Sequence, residues 1–557
     1  VMVTKNTLLF FADGMLVFNY KSNSIISGKL SLFTNNKISI NSLLTMISPM
    51  ATQTFVNAVG NDIQSQLLDN TRMTVIQNIY NNQGNIIANT KPAFVEAATS
   101  TPVFQYISEF ALYDFETQKI QGLIADTYQE DEGYPYFGYR YETSPLGRIL
   151  EQSMPGVAYK LGANTQKYKY GSNDGTYGLP KGEYYQVNVT DQNGNKTYTI
   201  TDKRNQEVRK VSQKSATEEI VSAVYYNDLG YPIRALSPNY QEGAQNNEDW
   251  ISYQTYNFIG QLMSTSNANG GTTEMIYDRA NRLRFRQDAE GTSQGNYQYY
   301  KYDRSGRISE TGYVTGVWDR NSLQEQANDH PEYPENGSTW RMKTYYDYDG
   351  TNAPYQIGQV VKTENNHSDE GNADVIENFL YDIYGNVISR TQKVVDFDTE
   401  NYETRFYYNN VGGITQIDYP VEKGSTPYSV YYTYNSIGQI ERIGTAAASN
   451  NIASYTYNPT GKPLEETLNP TGNSFIRNYG YNSPVWLDNV KDTKTQDSSF
   501  IFQETLQTSL PEGPAYYNGQ SAAIRFQYPS AMSAGSTFTN TYNSLNALEN
   551  VTEDRGQ

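Results

Sequence analysis

The hydrophobic pattern of this chain has a period of two, interrupted at intervals by one kind of turn. The tract Tyr434-Asn435-Ser436-Ile437-Gly438-Gln439-Ile440 shows the hand-over from run to run. An aromatic ends one strand, Asn435 is placed to make an Asx-turn, and Gly438 takes up positive φ. A polar and then an aliphatic residue restart the alternation, as they do at Gln261-Leu262, Arg282-Leu283, Arg307-Ile308 and Asn386-Val387. Each unit predicts one β-hairpin.

The turn is a repeat. Tyr, Asp or Asn, two variable residues and Gly occur as Tyr226 with Gly230, Tyr256 with Gly260, Tyr302 with Gly306 and Tyr346 with Gly350. They recur as Tyr381 with Gly385, Tyr408 with Gly412, Tyr434 with Gly438 and Tyr457 with Gly461, while Tyr277 and Tyr542 begin copies that carry Asn in place of Gly. With 51 Tyr and 42 Gly in 557 residues, composition alone predicts about four Tyr–Gly pairs at this spacing, before Asp or Asn is required. From Tyr226 to Tyr457 successive copies lie 30, 21, 25, 44, 35, 27, 26 and 23 residues apart. The shorter intervals suit two-stranded hairpins, and a four-stranded propeller blade needs about 40–45 residues. The longer ones predict loop insertions at 313–345 and 364–374. An isolated hairpin is marginal in water, so the units are expected to pair edge to edge in one elongated sheet.

Three regions follow. Residues 1–100 carry no copy of the repeat; they read as mostly β, with a polar stretch from Asn57 to Asn82 that fits a helix. There the apolar runs on either side of Asp13-Gly14 predict a hairpin. Residues 101–220 are dense in turn signals, including Asn193-Gly194 between Val187-Asn188-Val189 and Thr197-Tyr198-Thr199-Ile200, which predicts an Asn-Gly hairpin. Residues 221–557 hold the repeat, and the sheet is expected to continue past Gln557 in a larger protein.

Composition adds limits. With 51 Tyr against 20 Phe and 37% hydrophobic residues, burial falls on side chains whose hydroxyl needs a partner. This predicts wet sheet faces and tyrosine ladders, each cross-strand aromatic pair contributing roughly 0.2–1 kcal/mol. A net charge of −18 argues against nucleic-acid backbones and anionic membrane surfaces, and the Arg-rich tract 279–286 reads as a solvated strand face. The absence of Cys excludes disulfides and thiolate metal sites, and no apolar run approaches the ~20 residues of a membrane span.

The motif, its spacing near 25 residues and the upstream tracts Tyr141-Glu142-Thr143-Ser144-Pro145-Leu146-Gly147-Arg148 and Asp191-Gln192-Asn193-Gly194 resemble the Rhs or YD-repeat family, in particular large Rhs-type proteins of Bacteroidota. The resemblance covers roughly 101–557. It implies an all-β fold, an antiparallel hairpin sheet wound into a hollow, cocoon-like shell. It also implies a secreted or cell-surface protein whose partners are its own C-terminal cargo domain, often toxic, and a secretion or delivery machinery. The family's shell-closing core carries an Asp-Pro-x-Gly signature; this sequence contains no Asp-Pro, so self-cleavage is not assigned.

Candidate chemistry is sparse. The two histidines, His330 and His367, sit in Asn/Asp/Glu-rich stretches without a second ligand at metal spacing, and read as solvated loop residues. The stretch from Asn365 to Asp374 lacks the pattern of a calcium loop. No catalytic, cofactor or metal residue is therefore expected, and the repeat Tyr and Gly residues are taken as structural. Two alternatives stand beside the shell: an adhesin or glycan-binding repeat protein using its Tyr and four Trp, and a carbohydrate-active enzyme with a carboxylate pair among 60 acidic residues.

Overall fold

The computed structural model describes Met2–Val3, Thr7–Ala12, Met15–Lys21 and residues 51–555, apart from 70–71, 97–103, 216, 239, 241–247, 336, 351–353, 368–370, 396, 398–399, 421–425, 447–449, 470–473, 495–496, 512 and 530–534. The first three strands form a small separate sheet, in which Ala12 lies opposite Met15 as the Asp-Gly pair predicts. Asp13 and Gly14 themselves lie outside the described residues.

Thirty-five strands make one further sheet, from Ala51–Val56 to Leu548–Arg555. From Tyr136–Tyr141 onward every strand pairs antiparallel with the next in sequence, so the sheet is an unbroken meander. Many strands are half-buried along their whole length, among them Val360–Asn365 and Phe500–Gln507, which matches the expectation of wet faces. Buried apolar residues gather in separate clusters, one around Val75, Phe110 and Tyr136, another around Phe285, Tyr297 and Tyr299.

Three expectations are corrected. Asn57 to Asn82 is not helical: it holds the strands Asp62–Asp69 and Arg72–Tyr80, and the turn Asn81–Gly84 follows Tyr80 as a full Tyr-Asn-x-x-Gly copy. The repeat therefore does occur within residues 1–100. The polar look came from Gln64, Gln66 and Gln77, which are buried and bonded to one another: Gln66 Nε2 donates to Gln64 Oε1 at 2.8 Å, and Gln64 Nε2 to Gln77 Oε1 at 2.9 Å. The tract 313–345 is not a simple loop either. It contains the helix Arg320–Asp329, started by Asp319, whose carboxylate accepts from Asn321 N–H at 3.0 Å. Leu323 and Ala327, four residues apart on one helix face, bury against Phe285 and its neighbours.

Because neighbouring strands are antiparallel, connections alternate between two long edges of the sheet. Every Tyr-Asx-x-x-Gly turn falls on the same edge, here the motif edge. Between Tyr226 and Tyr481 the variable links from hairpin to hairpin, including the one with the helix, fall on the other, the connection edge.

Candidate functional site

The repeat turn is built by one side chain. Asn435 Oδ1 accepts from Ile437 N–H at 3.2 Å and Gln439 N–H at 2.9 Å, while Gly438 N–H donates to Asn435 O at 3.1 Å. Gly438, at φ 84°, closes the turn, and the register slips by one residue between Thr433 and Tyr434. This is a type I turn with a left-handed bulge residue, the usual three-residue hairpin solution. Asn227, Asn257, Asp278, Asp303, Asp382, Asn409 and Asn458 repeat the two side-chain bonds. The expected Gly residues Gly230, Gly260, Gly306, Gly385, Gly412 and Gly461 all have positive φ, as does Asn281 after Tyr277. One copy differs: Gly350 has positive φ, but the turn after Tyr346 is closed by Gly358, whose N–H reaches Asp347 O at 2.7 Å. The hairpin at 191–195 is of the same kind, organised by Asp191 rather than by a two-residue Asn-Gly turn.

The tyrosines form a ladder of another sort than the aromatic pairing expected. Their hydroxyls donate to the backbone carbonyl that opens the second strand of the preceding hairpin. Tyr302 reaches Leu283 O, Tyr381 Val360 O, Tyr408 Val387 O, Tyr434 Ile414 O and Tyr457 Ile440 O, each at 2.7 Å. Tyr226, Tyr277 and Tyr346 do the same at 3.0–3.1 Å, to Glu207, Leu262 and Ile308. Tyr256 is the exception; its hydroxyl turns to Gln254 and its ring stacks on Tyr231 at 5.0 Å. Each bond satisfies a carbonyl at the point where strand pairing ends, which is why Tyr rather than Phe occupies the position.

The sheet also meets itself. Tyr517 N–H donates to Asn193 Oδ1 at 2.7 Å across 324 residues, Asn195 Nδ2 to Asn546 Oδ1 at 2.9 Å across 351, and Ser544 Oγ to Lys214 O across 330. Tyr159 packs edge-on against Trp486 at 5.7 Å and Tyr517 at 6.0 Å. At the far end, Lys91 Nζ donates to Ser483 O at 3.3 Å and pairs with Asp131 at 2.6 Å, both side chains at most 2% exposed. Burial pulls the Lys91 ammonium down and pushes the Asp131 carboxyl up, and the pairing offsets part of that cost.

All late partners, in turns 482–486, 516–520 and 543–547, lie on the motif edge; all early ones, near 91, 131, 156–159, 191–195 and 214, lie on the connection edge. The sheet thus completes a revolution and seats one edge on the other by side-chain contacts rather than strand pairing. It is a spiral, not a closed barrel. Within this seam Val485 is held at φ 66°, a strained conformation for a β-branched residue. The sequence reading assigned no role to these residues. The available signal was departure from the motif, Asn482-Ser483-Pro484-Val485-Trp486 standing where a standard turn would end in Gly.

The remaining candidates form no second site. His330 is exposed at the end of the helix, its N–H donating to Gln326 O at 3.1 Å, and the His367 N–H donates to the Asp374 carboxylate. Among the described residues no group of three or more His, Asp and Glu is placed to hold a metal. The Arg-rich tract is not a free strand face: Arg279 pairs with Asp329, Arg282 with Asp278 and Arg286 with Asp288, while Arg284 is buried and donates to Tyr333 O at 2.9 Å.

A single open antiparallel sheet, wound past one revolution and seated edge on edge, defines the all-β shell class expected from the resemblance, an Rhs-like shell fold. Solved structures share it. TcdB2-TccC3 without its hypervariable C-terminal region superposes over 90% of this chain with a TM-score of 0.64 at 15% identity, covering 23% of that chain. The Tc holotoxin pore of Photorhabdus luminescens superposes over 90% with a TM-score of 0.60 at 14% identity, covering 25% of that chain. In sequence, the chain is 23% identical over 498 residues to salivary gland surface protein 1 of Aedes aegypti, 82% of this chain and 14% of that protein. No protein-family model matches the chain. The chain thus spans a quarter or less of each of these proteins.

Proposed function

We propose that this chain is a non-catalytic stretch of Rhs/YD-repeat shell, of the Bacteroidota type, whose work is to enclose and present a C-terminal polypeptide cargo. The observation that carries the reading is the seam: a sheet that seats its own edge after one revolution surrounds a volume without needing a closed core. The likeness to TcdB2-TccC3, one structure of which lacks a hypervariable C-terminal region, supports a cargo at that end of the longer protein. The partners in this reading are that cargo and a secretion or delivery machinery, and the location is extracellular or at the cell surface.

The test is limited proteolysis of the longer protein. The cargo should survive with the native shell and be digested when the seam is loosened by Trp486→Ala with Lys91→Ala. Digestion of the cargo at equal rates in both would end the reading. A surface-adhesin role is the second reading, favoured by the name of the Aedes aegypti relative. Binding of the chain to specific glycans on an array would support it over containment.

A further inference from the structure

Lys91 and Asp131 are placed for more than charge pairing. Their side chains are 2% and 0% exposed, and Lys91 Nζ lies 2.6 Å from Asp131 Oδ2. The Tyr128 ring covers the nitrogen, 3.6 Å from the ring centroid, and itself packs on the apolar cluster of Phe110 and Tyr136. In water an amine and a carboxylic acid exchange a proton and go no further, because the ammonium has no lone pair and the carboxylate is a poor electrophile. Burial works the other way. It lowers the Lys91 ammonium and raises the Asp131 carboxyl, so the neutral amine and acid gain weight within the pair. A desolvated lysine is a nucleophile, and groups held in reacting geometry behave as if at roughly 10⁵–10⁸ M. Ser483, from the turn 482–486, completes the site across the seam. Its carbonyl accepts from Lys91 Nζ at 3.3 Å, and its side chain lies against the Asp131 carboxyl.

We propose that Lys91 and Asp131 condense to an intramolecular amide, an isopeptide bond that forms once the winding sheet brings Ser483 onto the pair. The ammonium first passes a proton to the carboxylate, and the Nζ lone pair then attacks Cγ. Negative charge gathers on the carboxyl oxygen beside Ser483, whose hydroxyl donates to it, while the Ser483 carbonyl holds an N–H of the attacking nitrogen. Collapse of the tetrahedral centre breaks one Cγ–O bond. That oxygen leaves as water, with one proton from the acid and one from the amine, and nothing is oxidised or reduced. The bond closes the chain between Lys91 and Asp131 into a covalent loop and fixes the part of the connection edge on which Ser483 is seated. The proposal rests on the geometry of the pair and not on the containment reading.

Intact mass spectrometry of the full chain, unfolded in guanidinium, tests it. The native chain should be lighter than its sequence by one water. After cleavage at glutamates, Asp131-Glu132 should stay attached to the fragment that ends at Glu96. Lys91→Arg keeps the positive charge without the primary amine, and should show the full sequence mass with unchanged β content by circular dichroism. Asp131→Ala should likewise show the full mass. Ser483→Ala, which keeps the carbonyl and removes the hydroxyl, should lower the cross-linked fraction severalfold. A native chain at its full sequence mass would overturn the proposal, as would a loss of water that survives Lys91→Arg. Equal cross-linking in Ser483→Ala would overturn the part given to that residue.

Discussion

At each repeat turn one side-chain oxygen does the work of two backbone acceptors, and one residue absorbs the handedness. Gly438 has open space around the position a Cβ would take, whereas at Gly260 a Cβ would sit 2.1 Å from the Tyr231 hydroxyl. Gly438→Val should therefore cost about 1–3 kcal/mol through forced positive φ alone. Gly260→Ala, with clash added to strain, should cost more than Gly438→Ala. Chemical denaturation checks both, and an unchanged midpoint for Gly438→Val would contradict the turn assignment. Tyr434→Phe removes the bond to Ile414 O and should cost about 0.5–1.5 kcal/mol, where an aromatic-stacking role would leave stability nearly unchanged. The turn was legible in the sequence because its residues are chosen by local backbone geometry. The target of the tyrosine hydroxyl was not, since it lies on a neighbouring hairpin.

At the scale of elements, packing overrode composition. The strand pattern of Arg72–Tyr80 is carried by Met73, Val75 and Gln77 on one face, and a buried Gln bonded to Ala111 O reads in sequence as merely polar. The helix Arg320–Asp329 has legible signals in the sequence, the Asp319 cap and the Leu323–Ala327 spacing. Asp319→Ala should cost about 0.5–2 kcal/mol, measured by thermal unfolding. The tyrosine ladder gives the sheet a shared alkaline limit. Burial raises the phenols of Tyr302, Tyr381, Tyr408, Tyr434 and Tyr457 above the ordinary 10.0. A raised phenol binds its proton more tightly in the fold, so its stabilisation is full below that value and declines as pH rises past it. Phenolate absorbance should therefore lag behind free tyrosine and rise together with unfolding. Titration of these phenols at the ordinary value, with the sheet intact, would contradict the ladder.

At the scale of the molecule, the winding depends on contacts between residues more than 300 positions apart, which no local pattern encodes. The sequence signalled a continuous sheet, and the family resemblance supplied the shell; the residues that close the revolution came only from the structure. Lys91→Ala leaves Asp131 charged and buried, and should cost about 3–5 kcal/mol. Lys91→Ala with Asp131→Ala should recover part of that loss, and equal losses in both would remove the ion pair from the account. The most direct test of the winding uses the absence of native Cys. Asn195→Cys with Asn546→Cys puts one thiol on each side of the seam, at two residues whose amides now meet at 2.9 Å. A short bifunctional maleimide should bridge this pair within one molecule, and a control pair, Asn195→Cys with Asn458→Cys, should stay unbridged. A folded β-rich protein in which the seam pair does not cross-link, or does so no faster than the control, would contradict the wound sheet.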